Sequence, residues 1–196
     1  TWHLPVTEAD RTWAEEHLPG DEPTLILSPC SSHRLRNWSA ERYAAVADHA
    51  AGALGLRVAI TGGPSALERE TADRICTTMR HEAVDLVGKD TLTQSMAVLE
   101  RATVLLSPDS GPVHIASALG TPVVGVYAAT WARRSGPYRS LGLTVDRYAE
   151  AARRFRGKEP EELRWGHRIE EPGVMDLVTV DDVVEKLEQA VSSQPR

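Results

Sequence analysis

Short apolar runs rich in β-branched residues recur along the chain at positions 24–27, 56–61, 83–87, 103–106 and 122–127. Uninterrupted runs of this length are what strands covered on both faces require. Between them the apolar positions change period. Over 39–54, Tyr43, Val46, Ala47, Ala50 and Leu54 fall on one helical face, and Ser39 is a suitable N-cap. Residues 66–79 bring Ala72, Ile75, Cys76 and Met79 together in the same way. Residues 91–102 open with Thr91-x-x-Gln94, a capping box, and then bury Leu92, Met96 and Leu99. The segment 111–119 is shorter and ends on Gly120, a residue type that closes helices. Strand and helix therefore alternate about four times over 24–127. Such a rhythm predicts right-handed βα units: an α/β fold with a Rossmann-like parallel sheet and helices on both faces.

The flanks read differently. Residues 1–20 form a connecting stretch, which includes His3-Leu4-Pro5, and a short helix over 7–18. Residues 21–137 are the α/β domain. Residues 138–196 are an extension packing on the same domain, irregular and charged at first (Arg153, Arg154, Arg156, Lys158, Glu159, Glu161, Glu162) and helical near 180–191.

Composition sets the bounds. At 196 residues, 41% apolar and 26% charged, the chain suits one globular domain or one half of a larger enzyme. Its formal charge of −6 argues against general nucleic-acid binding, which draws on surplus Lys and Arg. Two cysteines, Cys30 and Cys76, with no CxxC pair fit a reducing compartment and carry no zinc signature. The histidines lack metal-ligand spacing, so no metal is expected. With no long apolar run and no leader at the start of the chain, a soluble cytoplasmic protein is expected.

In open α/β sheets, ligands bind outside the carboxyl ends of the strands, so the loops after strands carry the interest. The loop "SPCSSHRLRNW" offers Ser31, Ser32, His33, Arg34 and Arg36, a basic cluster in an acidic chain and hence a candidate anion site; the other reading is a solvated turn. "TGGPSALERE" places Gly62 and Gly63 where a ligand can approach the backbone, or where the chain simply turns tightly. It is neither GxGxxG nor a Walker loop. "SPDSGPVH" sets Asp109 or Ser110 to cap a helix starting near Gly111, whose N–H groups and dipole favour a phosphate. His114 lies one turn in and reaches the same ligand, unless it is an ordinary histidine. A GxSxG elbow is missing, and nothing orients Cys30 and His33 as nucleophile and base.

Together these stretches resemble a known family. "SPDSGPVHIASALGTPVVGVYAAT" is similar to the D-[ST]-G-x-x-H-x-A-x-A-L-G-x-P-x-V signature of the lipopolysaccharide heptosyltransferases, glycosyltransferase family 9. "SSHRLRNWSAERYAAVA" resembles its paired Ser/Thr loop, and "VGKDTLTQSMAVLERATVLLSPDSG" its approach to the signature. The likeness covers residues 24–137 and implies the C-terminal, donor-binding half of a two-domain GT-B glycosyltransferase. By position it implies that Asp109, Ser110, Gly111 and His114 contact the donor's sugar and diphosphate, and that Ser31 and Ser32 hold phosphate oxygens. Arg36 stands where the family usually has Lys. The family often places a Glu just after the Gly turn for the ribose; here Gly63, Ser65 and Glu68 are the candidates for ribose or base contacts. The implied donor is a nucleotide-diphosphate sugar, ADP-heptose in the family, transferred with inversion and without an obligatory metal to a lipopolysaccharide core acceptor. The implied acceptor base is an Asp of the N-terminal domain, so no catalytic residue is expected in this chain, nor transfer by it alone. Action at the inner face of the inner membrane, with peripheral association through the acceptor, follows from the same likeness. The competing readings are a nucleotide-sugar-binding module without activity and a GT-B-fold nucleotide-sugar epimerase.

Overall fold

The five apolar runs become β1 (Thr24–Leu27), β2 (Arg57–Ile60), β3 (Val84–Asp85), β4 (Val104–Pro108) and β5 (Val123–Tyr127) in a computed structural model that describes residues 4–193. His3 of the connecting stretch lies outside them. A sixth strand, β6 (Val145–Asp146), continues the sheet beside β5, with Val126 opposite Val145. Every pairing is parallel, in the order β3-β2-β1-β4-β5-β6. The chain steps outward from β1 to β3, then returns to place β4 on the other side of β1. The point where the order reverses, between β1 and β4, is where such sheets open a crevice at the carboxyl ends of their strands.

Strand residues alternate between two apolar layers. Leu25, Leu27, Val58, Ile60, Val104, Leu106 and Val124 point to one face. There they meet α2 (Ala40–Leu54), α3 (Ala66–Thr78) and α8 (Val180–Ser192). Ile26, Ala59, Leu105 and Val123 point to the other, toward α1 (Glu8–His17), α4 (Leu92–Arg101) and α5 (Gly111–Leu119). Alternation of this kind, apolar on both sides, is why the strand sequences read as unbroken runs. Three caps follow the sequence: Ser39 accepts from the Arg42 N–H, Thr91 and Gln94 form a capping box, and Gly120 ends α5 in the left-handed conformation at φ 93°. Leu92, expected in the core, is exposed instead.

The region after Pro137 is more regular than expected. It contains β6 and a helix, α7 (Tyr148–Arg156), preceded by the single-turn α6 (Ala132–Ser135). Tyr148, Ala151 and Ala152 of α7 are buried and Phe155 packs beside them. The connection into α8 is fastened to the start of α2, where Trp38 Nε1 and Arg42 Nη1 both donate to the Val178 carbonyl, at 3.0 and 2.8 Å. Among the described residues, no helix is long and apolar enough to cross a membrane.

Candidate functional site

Parallel pairing delivers the loops after β1, β2, β3 and β4 to one edge of the sheet, and together they enclose a cavity of about 900 Å³. The ten residues that the family likeness singles out line it: Ser31, Ser32 and Arg36 from the first loop, Gly63, Ser65 and Glu68 from the second, and Asp109, Ser110, Gly111 and His114 from the fourth. His33 and Arg34 of the basic cluster do not, and stand near Glu170 and Glu70 instead.

The helix end is the least satisfied part of this wall. Ser110 occupies the N-cap of α5, yet neither it nor Asp109 caps the helix with its side chain. The Ser110 hydroxyl lies 2.8 Å from that of Ser107, and Asp109 Oδ2 accepts from Ser135 Oγ at 3.1 Å. The expected cap is therefore absent, and the first-turn N–H groups lack a side-chain acceptor. Pro112 contributes no N–H, while a Cβ placed on Gly111 would meet nothing within 4 Å. Together these features leave a positive helix end facing open space in the cavity.

In the first loop the two serines do different work. Ser31 is buried; its N–H donates to Asn37 Oδ1 at 2.7 Å, and its hydroxyl lies 2.9 Å from the same oxygen, so this side chain shapes the loop. Ser32 is exposed and accepts from Arg36 Nη2 at 2.8 Å, which leaves its own O–H proton to give away. Arg36 is 9% exposed. Its Nε stands 3.3 Å from Glu170 Oε1, but both atoms are buried without a hydrogen bond. Nε is shut in beside Glu170, so an oxyanion in the cavity would meet the Nη groups, of which only the bond to Ser32 is in use.

The glycine turn after β2 serves a neighbour. A Cβ on Gly62 or Gly63 would lie 3.3 or 3.1 Å from the Glu68 carboxylate, which accepts from Gly63 N–H at 2.8 Å and Ser65 Oγ at 2.6 Å. The glycines thus make room for Glu68, and both line the cavity beside it.

Sequence reasoning missed two residues. Asp90, in the loop after β3, lines the cavity beside Thr91 and Ser95. Burial pushes its carboxyl above the usual carboxylate range; a hydrogen bond from Ser95 opposes this, and the Glu68 charge adds to it. Its signal was an acidic residue in a post-strand loop, obscured by the capping box that follows. Glu170, the partner of Arg36, comes from the extension and gave no signal at all. The cavity is accordingly polarised, with Arg36, Ser32 and the α5 terminus on one side and Glu68 and Asp90 on the other. Among the described residues no three His, Cys, Asp or Glu side chains are grouped to hold a metal ion.

Comparison with known proteins gives consistent results. The family model described as "Glycosyltransferase family 9 (heptosyltransferase)" matches residues 1–164. The chain is 32% identical over 188 residues to the lipopolysaccharide core heptosyltransferase OpsX of Haemophilus influenzae, covering 96% of this chain and 54% of that protein. It is 27% identical over 130 residues to lipopolysaccharide heptosyltransferase 3 of Escherichia coli, covering 66% of this chain and 36% of that one. The chain thus spans about half the length, or less, of these relatives. Among solved structures, a glycosyl transferase family 9 protein from Veillonella parvula superposes with a TM-score of 0.79 at 22% identity, covering 98% of this chain and 54% of that one. The ADP-heptose lps heptosyltransferase II of E. coli superposes with a TM-score of 0.72 at 18% identity, over 98% and 54%. At these identities the superpositions establish the shared fold.

Proposed function

Since this chain belongs to glycosyltransferase family 9, the heptosyltransferase family, we propose that it is the donor-binding, C-terminal half of a GT-B glycosyltransferase and that its cavity holds a nucleotide-diphosphate sugar, ADP-heptose. The observation that carries this reading is the convergence of an uncapped helix N-terminus and a buried, incompletely bonded arginine on one cavity. In this reading the diphosphate lies between the α5 terminus and the Ser32–Arg36 pair. As the glycosidic bond breaks, negative charge grows on the leaving diphosphate, and donors already in place stabilise it without reorganising. Asp109 and His114 face the sugar. Glu68 and Asp90, acceptors when ionised, suit the ribose hydroxyls and the exocyclic amine of a base.

Inverting transfer also needs a base within about 3 Å of the acceptor hydroxyl and an aligned acceptor. We assign the base to an N-terminal domain facing this one, and the acceptor to the lipopolysaccharide core at the cytoplasmic face of the membrane. The test is calorimetric titration of the chain with ADP, GDP and UDP and with the corresponding sugar conjugates, followed by an assay of ADP release from ADP-heptose with a truncated lipopolysaccharide acceptor. Binding of the ADP series without acceptor-dependent turnover is expected. Absence of binding overturns the donor site, and turnover by this chain alone overturns the division of labour.

A further inference from the structure

The arginines of this protein fall into two populations. Before residue 131 every arginine except Arg80 has a carboxylate within 4 Å: Arg11, Arg34, Arg36, Arg42, Arg57, Arg69, Arg74 and Arg101. From 131 to 168 the chain carries ten Lys and Arg against five Asp and Glu, a local charge of +5 in a chain of −6. In that stretch, among the described residues, only Arg147, Arg153 and Arg156 are ion-paired. Arg133, Arg134, Arg164 and Arg168 are exposed with no such partner.

Two of these unpaired cations, Arg133 and Arg134, lie against an aromatic shelf, and Arg164 is the chain neighbour of its exposed ring. Trp165 is 63% exposed. It sits beside Trp131 at 6.0 Å between ring centroids, and Trp131 is itself stacked on the buried Tyr148 at 5.5 Å. The Arg133 guanidinium lies 5.5 Å from the Trp131 ring centroid, and Arg134 packs so closely on the turn at Gly166 that a Cβ there would be 3.0 Å from its Nε. A tryptophan kept mostly in water forgoes the burial that stabilises most large apolar rings, and like charges held together repel. The shelf is also linked to the cavity wall. Trp131 is the N-cap of α6 and Arg134 lies within it, and the helix's last residue, Ser135, donates to the cavity residue Asp109.

We propose that this shelf binds an anionic oligosaccharide, and so seats the acceptor beside the donor cavity. An aromatic plane packs against the C–H face of a sugar ring, while guanidinium forks pair bidentately with phosphate or carboxylate groups on it. A shelf built on one exposed ring with Arg133 and Arg134 against it suits a sugar bearing discrete charges; a bilayer surface calls for a broader apolar face. The acceptor assignment rests on the donor reading above, whereas the binding itself does not.

The experiment titrates the chain with a phosphorylated lipopolysaccharide core oligosaccharide freed of lipid, with the same oligosaccharide after removal of phosphate, and with phosphatidylglycerol vesicles. ADP is titrated in parallel. The phosphorylated oligosaccharide is expected to bind at least 10-fold more tightly than its dephosphorylated form. Trp165→Ala, and separately Arg133→Glu with Arg134→Glu, should each weaken it at least 10-fold while ADP affinity stays within 2-fold. Unchanged affinity in both variants overturns the proposal, as does equal competition by the vesicles. Oligosaccharide binding that persists where ADP fails to bind leaves the shelf standing and removes the donor reading.

Discussion

Replacing Gly111 by alanine separates the two roles a helix N-terminus can have. The position has helical geometry, and an added Cβ meets no atom within 4 Å, so no steric penalty arises in the empty protein. Alanine is the better helix former and restricts the unfolded chain, which should stabilise the fold by up to about 1 kcal/mol. With an anion seated on the helix end, the same methyl occupies the approach to the first-turn N–H groups. Losing one hydrogen bond to a charged group costs about 1.5–3 kcal/mol, and at about 1.4 kcal/mol per decade this weakens binding roughly 10- to 100-fold. Stability should therefore rise or hold while affinity for ADP falls. Urea unfolding reads the first quantity and calorimetry the second. ADP affinity within 2-fold of the parent protein would refute the seat on α5, and a clear loss of stability would show that the space is not open.

Arg36→Ala should weaken a nucleoside diphosphate much more than the nucleoside, with Arg36→Lys restoring part of the difference; equal losses in calorimetry would make Arg36 structural. The same alanine leaves the Glu170 carboxylate, whose side chain is 27% exposed, without its cation and should cost about 1–3 kcal/mol in urea unfolding. Gly136→Ala would put a Cβ 2.5 Å from the Ala132 carbonyl oxygen and 2.9 Å from Leu141 Cδ2, an overpacking worth about 1–3 kcal/mol that lowers the denaturation midpoint without changing the m-value. Asp90→Asn tests the partly buried carboxyl. Because the folded state raises its pKa, the native protein binds the proton more tightly than the unfolded chain does, so this group's cost is absent below the unfolded value near 4 and grows as pH rises through the folded one. The asparagine variant should gain stability over the parent as pH rises from 4 to 7, and a pH-independent difference contradicts this.

The sheet was legible because its strands are buried on both faces: each layer needs apolar partners, so the pattern at 24–27 or 122–127 has no polar gap to confuse it. Helix starts were legible where a hydroxyl caps them, as at Ser39 and Thr91. What escaped is short or charged. β6 has two residues, too few to show any period, and it owes its existence to the edge of β5. Tyr148, Ala151, Ala152 and Phe155 of α7 do stand at i, i+3, i+4 and i+7, but two of them are alanines and Arg153, Arg154 and Arg156 lie among them, so the stripe is thin. For the site, the loops after strands pointed to the right edge because parallel topology allows no other. Partners brought from afar could not be read in this way. Nothing local to Glu170 announces Arg36, and only folding reveals that the Glu68 carboxylate packs against the two glycines.

The hydrogen bond from Trp38 to the Val178 carbonyl joins residues 140 apart in sequence, and Glu170 reaches Arg36 across almost as much chain. Closing a loop of that size costs on the order of 4 kcal/mol in chain entropy, which only later contacts can recover, and such distant contacts slow folding. The first loop of the cavity therefore waits for the extension. During synthesis the β1–α2 segment emerges early but stays without its fasteners until residues 170–178 follow. In the finished protein the dependence runs both ways: fraying of the α8 connection would loosen the Arg36 loop, and an anion bound there would slow amide exchange around Val178. Occupancy of the cavity is thus recorded at the far end of the chain, in a segment that contributes no lining residue to it.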